Sequence, residues 1–168
     1  MPSSVARRRR AWLGLLAVAL AGCGPLPRDA AGALERVRGG TLRVGIADAP
    51  PWVRLDAGRV DGIEPRLIEA WAARLGARVR YRTGAEAELV EALHRREIDV
   101  MAAGLDASTP HAPRLGLSQP YLERQDRHGR KRRQVLAVTQ GESALLLSLD
   151  RHLAGVDRAA LARQAMPR

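Results

Sequence analysis

The middle of the chain switches repeatedly between alternating and helical spacing of its apolar residues. Residues 42–46 alternate and stop at a proline-rich turn over residues 48–51, which predicts a strand. A helix is predicted to begin at Glu64 and Pro65, because proline is well tolerated in a first turn, and to end before Gly76. Its apolar face is formed by Leu67, Ile68, Trp71 and Leu75.

The same switching continues to residue 103. Residues 78–82 alternate again and predict a second strand, residues 85–95 carry apolar residues at helical spacing, and residues 98–103 are almost wholly apolar. A strand that is covered on both faces has such a continuous apolar pattern. Strand, helix, strand, helix, strand is the repeating unit of a parallel sheet with covering helices, so we expect an α/β fold.

The last third of the chain is less regular. Residues 123–133 contain five arginines and one lysine and predict a solvated basic loop. An apolar run over residues 134–138 predicts one more strand, residues 143–153 a leucine-rich helix, and residues 156–166 a final short helix. Another short helix is expected at residues 33–37, within an otherwise irregular stretch.

The first 23 residues have the pattern of an export signal. Four arginines precede an apolar stretch over residues 11–20 and the small residues before Cys23. That stretch is shorter than the roughly 20 residues that a membrane-spanning helix needs. It resembles the signal peptide of a bacterial lipoprotein, which implies lipidation of Cys23. A plain secretory signal with a chance cysteine is the alternative.

Composition limits the kinds of protein that this chain can be. Cys23 is the only cysteine, so no disulfide can form within the chain. The formal net charge is +10, and it is +6 once the four signal arginines are removed. An exported chain with 3% aromatic residues lacks the interleaved aromatic and basic residues of nucleic-acid-binding proteins, so we expect no nucleic-acid partner. The four histidines have no metal-ligand spacing, and we expect neither a metal nor another cofactor.

Two loops of the predicted sheet have the position of ligand-binding loops, because ligands bind at the carboxyl ends of parallel strands. The first loop follows residues 42–46 and offers Asp48, Pro51 and Trp52. The second follows residues 98–103 and offers Gly104, Leu105, Asp106, Ser108 and His111. Trp52 suits stacking on a ligand and capping of the core equally well, and Ser108 is better explained as a turn cap. No nucleophile with a partnered base is evident, so we expect no enzymatic activity.

Several short motifs follow one another in a characteristic order. They are Gly40-Thr41-Leu42-Arg43-Val44-Gly45, Pro51-Trp52, Gly62-Ile63-Glu64-Pro65-Arg66-Leu67-Ile68, Glu97-Ile98-Asp99-Val100 and Leu117-Ser118-Gln119-Pro120-Tyr121. This series resembles the extracytoplasmic solute-binding proteins of family 3, which capture amino acids and related small molecules for ABC importers. The resemblance covers residues 40–122. It implies one lobe of the type II periplasmic-binding-protein fold, a three-layer lobe built on a parallel sheet.

The sequence departs from that family in two respects. The family arginine that holds the ligand carboxylate corresponds here to His111, and a neutral imidazole cannot replace a guanidinium fork. Arg114, one helical turn further on, is a candidate substitute. In the family the chain crosses to a second lobe after the segment that corresponds to residues 118–121, but here it passes through residues 123–133 directly into the next strand. We therefore expect the second lobe to be missing and ligand binding to be weak or dependent on a partner.

These observations predict a lipoprotein signal peptide (1–22), a tether (23–39), a solute-binding lobe (40–122), a basic loop in place of lobe two (123–133) and a C-terminal strand and helices returning to lobe one (134–168). We expect a substrate-binding protein associated with ABC-type uptake of small polar solutes, with an ABC permease as a candidate partner. It would be lipid-anchored on the periplasmic side of the envelope. Gly24 does not match the aspartate that retains lipoproteins at the inner membrane, which favours the outer membrane. A sensor or protein-interaction module of the envelope, and a degenerate remnant that binds nothing, are the alternatives.

Overall fold

The computed structural model describes residues 29–126 and 128–166. The predicted signal peptide and the predicted lipidation site at Cys23 lie outside the described residues. The elements, in chain order, are α1 (Ala33–Val37), β1 (Thr41–Ile46), β2 (Arg54–Asp56), β3 (Arg59–Asp61), α2 (Ile63–Arg74), β4 (Arg78–Thr83), α3 (Glu86–His94), β5 (Val100–Ala102), a 3-10 turn (Ala112–Arg114), β6 (Leu115–Leu117), β7 (Leu122–Gln125), β8 (Lys131–Gln134), β9 (Ala137–Thr139), α4 (Ser143–Ala154) and α5 (Arg158–Gln164).

A five-stranded sheet in the order β4-β1-β5-β9-β6 forms the centre of the lobe. Strand β1 pairs in parallel with β4 on one side and with β5 on the other, and Val44 lies between Tyr81 and Val100. Strand β9 is antiparallel to both β5 and β6, so the sheet is mixed. The predicted α/β fold of a periplasmic-binding-protein lobe is confirmed, with β9 as the strand that reverses direction.

Helices cover both faces of this sheet and create two apolar clusters. On one face α2 and α4 bury Ile68, Trp71 and Leu149 against β1. On the other face α3 contributes Leu89 to a cluster with Met101. A Cβ atom at position 45 would meet the side chains of Ile98 and Leu89, so glycine in β1 allows α3 to approach closely. Among the described residues, no helix combines the length and apolarity that crossing a bilayer requires.

The segment before β1 is part of the folded lobe. Helix α1 buries Ala33, Leu34 and Val37, whose spacing gives it one apolar face. The Asp99 carboxylate ties α1 to β1, since it accepts hydrogen bonds from Arg36 Nη2 at 2.9 Å and Arg43 Nη2 at 2.7 Å. The predicted short helix at residues 33–37 is therefore confirmed. However, residues 29–39 lie against the lobe, whereas the sequence predicted a tether through residue 39.

Residues 123–133 differ most from expectation, because they form a hairpin instead of an irregular loop. Strands β7 and β8 pair from Leu122 opposite Gln134 to Gln125 opposite Lys131. The predicted strand at residues 134–138 is interrupted, because the backbone N–H of Leu136 donates to Ser118 Oγ at 3.0 Å before β9 begins. The run over residues 134–138 therefore contributes its first residue to β8 and its last two residues to β9.

Candidate functional site

The predicted binding loops meet at the carboxyl ends of β1 and β5, and the β7–β8 hairpin stands beside them. The loop after β5 continues as a pairing partner of β8. The backbone N–H of Val135 donates to the Leu105 carbonyl at 3.0 Å, and that of Ala107 donates to the Arg133 carbonyl at 2.8 Å. These bonds fix the hairpin against the loop, so that the two form neighbouring walls.

An open cleft of about 920 Å³ lies between the hairpin and the loops. We call it the hairpin cleft. Its lining combines aromatic, amide, acidic and basic groups: Trp52, Gly104, Asp106, Arg124, Gln125, Asp126, His128, Arg130, Arg132 and Gln134. With its amide nitrogen turned toward the loop, Gln134 donates to the carbonyls of Gly104 and Leu105, each at 3.2 Å. The Gln134 side chain of the hairpin thus binds the backbone of the loop after β5 at the floor of the cleft.

An aromatic pair lies at the base of the cleft. The rings of Trp52 and Tyr121 meet edge to face, with centroids 6.1 Å apart and planes at 70°. The guanidinium carbon of Arg124 lies 5.3 Å from the centroid of the Trp52 ring, within the range of a cation–π interaction. The hairpin therefore places a positive charge directly over the indole.

A buried carboxyl group supports this pair from below. Glu64 is fully buried at the start of α2, where its carboxylate accepts from the Tyr121 hydroxyl at 2.7 Å and from the backbone N–H of Gly104 at 3.1 Å. Burial raises the pKa of Glu64 to about 7, although the bonds from Tyr121 and Gly104 favour the charged form. One side chain thus joins α2, the loop after β5 and the segment that leads into β7.

Gly104 has a backbone conformation that brings the loop after β5 close to Trp52. Its φ of +63° lies in the left-handed region, and a Cβ there would come within 2.5 Å of Trp52 Cδ1. Only glycine meets both conditions without strain. The close approach of the loop to the indole therefore depends on this residue.

The acidic groups of the cleft are already engaged. Burial tends to raise the pKa of Asp126, but bonds from the backbone N–H groups of Arg130 and His128 and from the Arg130 side chain lower it to about 2. Burial likewise opposes the ionisation of Asp106, and bonds from Ser108 and the Arg133 backbone lower its pKa overall. Within the described ranges, Arg124 has no carboxylate at ion-pair distance, so its charge is the one left open to a ligand.

Three of the nine residues predicted for the ligand site line the hairpin cleft, namely Trp52, Gly104 and Asp106. Leu105 is buried in the core, and Ser108 donates to Asp106 as a turn cap through both its backbone N–H and its hydroxyl. Pro51 lines a neighbouring groove instead. The loop after β5 therefore contributes fewer side chains to the cleft than its sequence indicates.

The other three predicted residues contact their own surroundings outside the cleft. Asp48 accepts from the backbone N–H of Leu55 at 2.9 Å and so supports the β2–β3 turn. His111 Nε2 lies 3.8 Å from Glu86 Oε1. Arg114 Nη2 donates to Glu91 Oε1 at 2.7 Å, which directs the guanidinium toward α3. The arginine closest to the aromatic pair is thus Arg124, which the sequence analysis placed in a solvated loop.

Most of the cleft lining was missed because it belongs to the hairpin. The only sequence signal was the basic run just after Tyr121, at the point where the chain leaves the sheet. Glu64 was also missed as a site residue, because an acid in the first turn of a helix is already explained by the helix dipole. Among residues 29–126 and 128–166, no group of three side chains is arranged to hold a metal ion.

The sequence profile of the bacterial extracellular solute-binding proteins, family 3, matches residues 42–162. The chain belongs to this family. Family 3 sequence relatives include membrane-bound lytic murein transglycosylase F of Vibrio cholerae, 31% identical over 121 residues, which are 70% of this chain and 23% of that protein. The enzyme of the same name from Idiomarina loihiensis is 32% identical over 108 residues, which are 64% of this chain and 24% of that protein. The chain thus spans about a quarter of the length of these curated relatives.

Solved structures share the fold of this chain. The arginine-bound form of domain 1 from TmArgBP is 26% identical, with a TM-score of 0.63, and the match covers 71% of this chain and 94% of that domain. An ancestral cationic amino acid solute-binding protein, 14% identical, has a TM-score of 0.68, and the match covers 79% of this chain and 97% of that chain. The first comparison shows that an isolated domain of this fold has been captured with a ligand.

Proposed function

We propose that this chain is a receptor lobe that binds an amino acid or a related small polar solute in the hairpin cleft. The observation that carries the proposal is the position of Arg124, whose unpaired guanidinium lies over Trp52 at the carboxyl ends of β1 and β5. The arginine-bound form of domain 1 from TmArgBP supports it, because that structure has a ligand on a single domain of this fold. A lobe without a closing partner leaves more of the solute exposed, so we expect weak binding.

The cleft recognises a solute through three kinds of contact. Arg124 offers a charged donor to a carboxylate, and an arginine fork can make two parallel bonds to such a group. Trp52 is 5% exposed and packs mainly as a cap on the core, so it contributes only the narrow part of the indole that Arg124 leaves uncovered. Gln125 and His128 on the hairpin provide further polar contacts at the rim.

The cellular setting is part of the same proposal. Lipidation of Cys23 anchors the lobe to a membrane on the periplasmic side of the envelope, and an ABC permease receives the solute. The chain acts by binding and not by catalysis. The export pattern of the first 23 residues and membership of family 3 support this setting.

A screen for thermal stabilisation tests the binding function. Amino acids, small carboxylates and polyamines are added to the full chain, since a ligand that binds only the folded state raises the melting temperature. The dissociation constant of the best solute is then measured by calorimetry for the wild type, Arg124→Gln and Arg80→Gln. We expect affinity about tenfold lower in Arg124→Gln, because a charged hydrogen bond is lost. Arg80 is an exposed arginine of β4 outside the cleft and serves as the matched control.

Two results contradict the proposal. The first is a flat melting temperature across the whole screen, which is the behaviour of a remnant that binds nothing. The second is equal affinity in the wild type and Arg124→Gln. The Arg114→Gln variant adds a test of the sequence prediction, and we expect it to bind normally because Arg114 is paired with Glu91.

A second candidate function is an envelope module that recognises fragments of the murein wall. The observation that favours it is the similarity to murein transglycosylase F, in which the matching segment is about a quarter of the protein. Including murein fragments in the same screen separates the two candidates. Stabilisation by these fragments and not by amino acids would support the envelope module.

A further inference from the structure

A second groove lies beside the hairpin cleft, and Arg124 lines both. It has a volume of about 930 Å³ and runs between the Pro50–Pro51 turn, the start of α2 and the end of α5. Four separate elements bring arginines to it, and we call it the arginine groove: Arg54 from β2, Arg66 from α2, Arg124 from β7 and Arg163 from α5. Among the described residues that line it, Asp61 is the one acid.

The charges of this groove do not cancel. Asp61 Oδ1 accepts from Arg66 Nη2 at 2.8 Å and from Arg66 Nε at 3.2 Å. A backbone bond from Gly62, the bond from Arg66 and the nearby charges of Arg66 and Arg54 lower the pKa of Asp61, so this carboxylate is ionised and balances one of the four guanidinium charges. In the part of the chain that the structure describes, Arg54, Arg124 and Arg163 have no carboxylate at ion-pair distance. Three like charges therefore face one groove.

The hairpin cleft provides a contrast within the same molecule. There, Arg130 and Arg132 share the Asp126 carboxylate, at 3.0 and 3.2 Å, and Asp106 lies in the same lining, so two carboxylates stand against these two cations. In the arginine groove the excess cations surround an apolar floor that includes Ile63, Ala165 and the exposed Met166. Bound oxyanions would relieve the repulsion between the guanidinium groups and would receive charge-assisted hydrogen bonds from them.

We propose that the arginine groove is a second binding site, for a solute that carries at least two oxyanion groups, carboxylate or phosphate. Guanidinium forks fit carboxylate and phosphate oxygens equally in geometry, so the structure assigns the multiple negative charge and not the central atom. The site is separate from the solute site of the hairpin cleft, apart from the shared Arg124. A ligand in one site therefore competes for Arg124 with a ligand in the other.

Calorimetry on the full chain at low salt tests this site, with citrate as the carboxylate probe and pyrophosphate as the phosphate probe. Acetate, which has one charge, is the reference. We expect one molecule of citrate or pyrophosphate to bind per chain, with affinity that falls about tenfold in Arg54→Gln and in Arg163→Gln. Arg80→Gln should bind both probes as the wild type does. Raising the salt concentration should weaken binding, because exposed charges are screened.

Several outcomes would overturn the proposal. They are acetate binding as tight as citrate binding, an undiminished affinity in Arg163→Gln, or an equal loss in Arg80→Gln. Binding to phosphatidylglycerol vesicles in an Arg163-dependent manner, without binding of citrate or pyrophosphate, would assign the groove to a membrane surface instead. All four arginines are exposed, so the melting temperatures of the variants should match that of the wild type and exclude unfolding as the cause.

Apart from the shared Arg124, the two binding sites can be tested with separate variants. Arg163→Gln removes a cation from the arginine groove and leaves the hairpin cleft intact, so any solute found for the cleft should bind this variant normally. Arg130→Gln changes the hairpin cleft and leaves every arginine of the groove in place, so citrate and pyrophosphate should bind this variant normally. Arg124→Gln should weaken both ligands.

Discussion

The central sheet and the β7–β8 hairpin border the same cleft, but different forces hold them. In the sheet, Val44, Ile46 and Val100 are completely buried, and apolar packing on both faces determines the position of each strand. In the two strands of the hairpin, Leu122 and Gln134 are the buried residues, and the other strand residues depend on the backbone ladder and on exposed ion pairs such as Lys131 to Glu123 at 2.7 Å. The sheet can therefore position a site whose chemistry the hairpin supplies.

The sheet and the hairpin should therefore tolerate substitutions to different degrees. Substitutions in the sheet alter the packing that every other element depends on, so they are costly. Substitutions on the hairpin alter charge and hydrogen bonding at the cleft at little cost in stability. Three substitutions test this contrast, and they follow in order of expected effect.

Trp71→Ala should have the largest effect. The Trp71 side chain is 1% exposed, and its Nε1 donates to Ser148 Oγ at 3.2 Å. Its removal leaves a cavity between α2 and α4, and we expect the free energy of unfolding to fall by about 3–5 kcal/mol. Urea titration measures the loss. Arg133→Ala on the exposed hairpin is the comparison, with an expected change within about 0.5 kcal/mol. Similar losses in the two variants would contradict the contrast.

Glu64→Gln tests the carboxyl group at the junction of the two regions. Because the pKa of Glu64 is raised to about 7 in the folded state from 4.5, its contribution to stability is fully present below about pH 4.5 and is lost as the pH rises through about 7. The wild type should therefore lose roughly 3 kcal/mol over that window relative to Glu64→Gln. The amide mimics the protonated acid, since its oxygen can still accept from Gly104 while its nitrogen donates to Tyr121.

Urea titrations at several pH values compare the two proteins. Glu69→Gln removes an exposed carboxylate from the same helix and should keep the wild-type pH profile. Tyr121→Phe removes a hydrogen-bond donor that favours the ionised form of Glu64. The pH at which stability is half lost should therefore be higher in this variant than in the wild type. Parallel profiles for the wild type and Glu64→Gln would show that Glu64 does not titrate in this window.

Asp126→Asn should have the smallest effect on overall stability. Asp126 accepts from the backbone N–H groups of His128 at 2.9 Å and Arg130 at 3.0 Å, and the loss of its charge weakens the hairpin turn. We expect amide hydrogen exchange to become faster in β7 and β8. The melting temperature should change by only about 1–3 °C. If exchange in the central sheet accelerates equally, the hairpin is part of the same cooperative unit and the contrast fails.

The parts of the fold that the sequence predicts are those in which burial dominates. Strand β1 and helices α2 and α3 have apolar residues at the spacing of one buried face, and they form close to their expected bounds. The hairpin has no such periodicity, because nearly all its side chains are exposed on both faces. Strands β7 and β8 pair through a backbone ladder, and the loop after β5 holds β8 through the bond from the Ala107 N–H to the Arg133 carbonyl, a contact between distant parts of the chain that no local pattern predicts.

The position of the candidate site was predicted from the sequence, but most of the residues that line it were not. Strand order places the loops after β1 and β5 at one edge, and Trp52 and Gly104 indeed line the cleft there. Arg114 was selected because it lies one helical turn beyond His111, but the 3-10 turn directs it to Glu91. Arg124 reaches Trp52 only through the fold of the hairpin, so sequence spacing could not identify it.

Exchange of the hairpin tests most directly whether it forms the second wall of a solute site. Residues 123–133 are replaced by Asn-Gly, a two-residue turn that suits the pairing of Leu122 with Gln134. The dissociation constant of the best solute is then measured by calorimetry. The account predicts that the shortened lobe still unfolds cooperatively and binds at least about tenfold more weakly, since Arg124 and the hairpin wall are gone. Unchanged affinity in a folded variant would place the solute elsewhere and contradict the account.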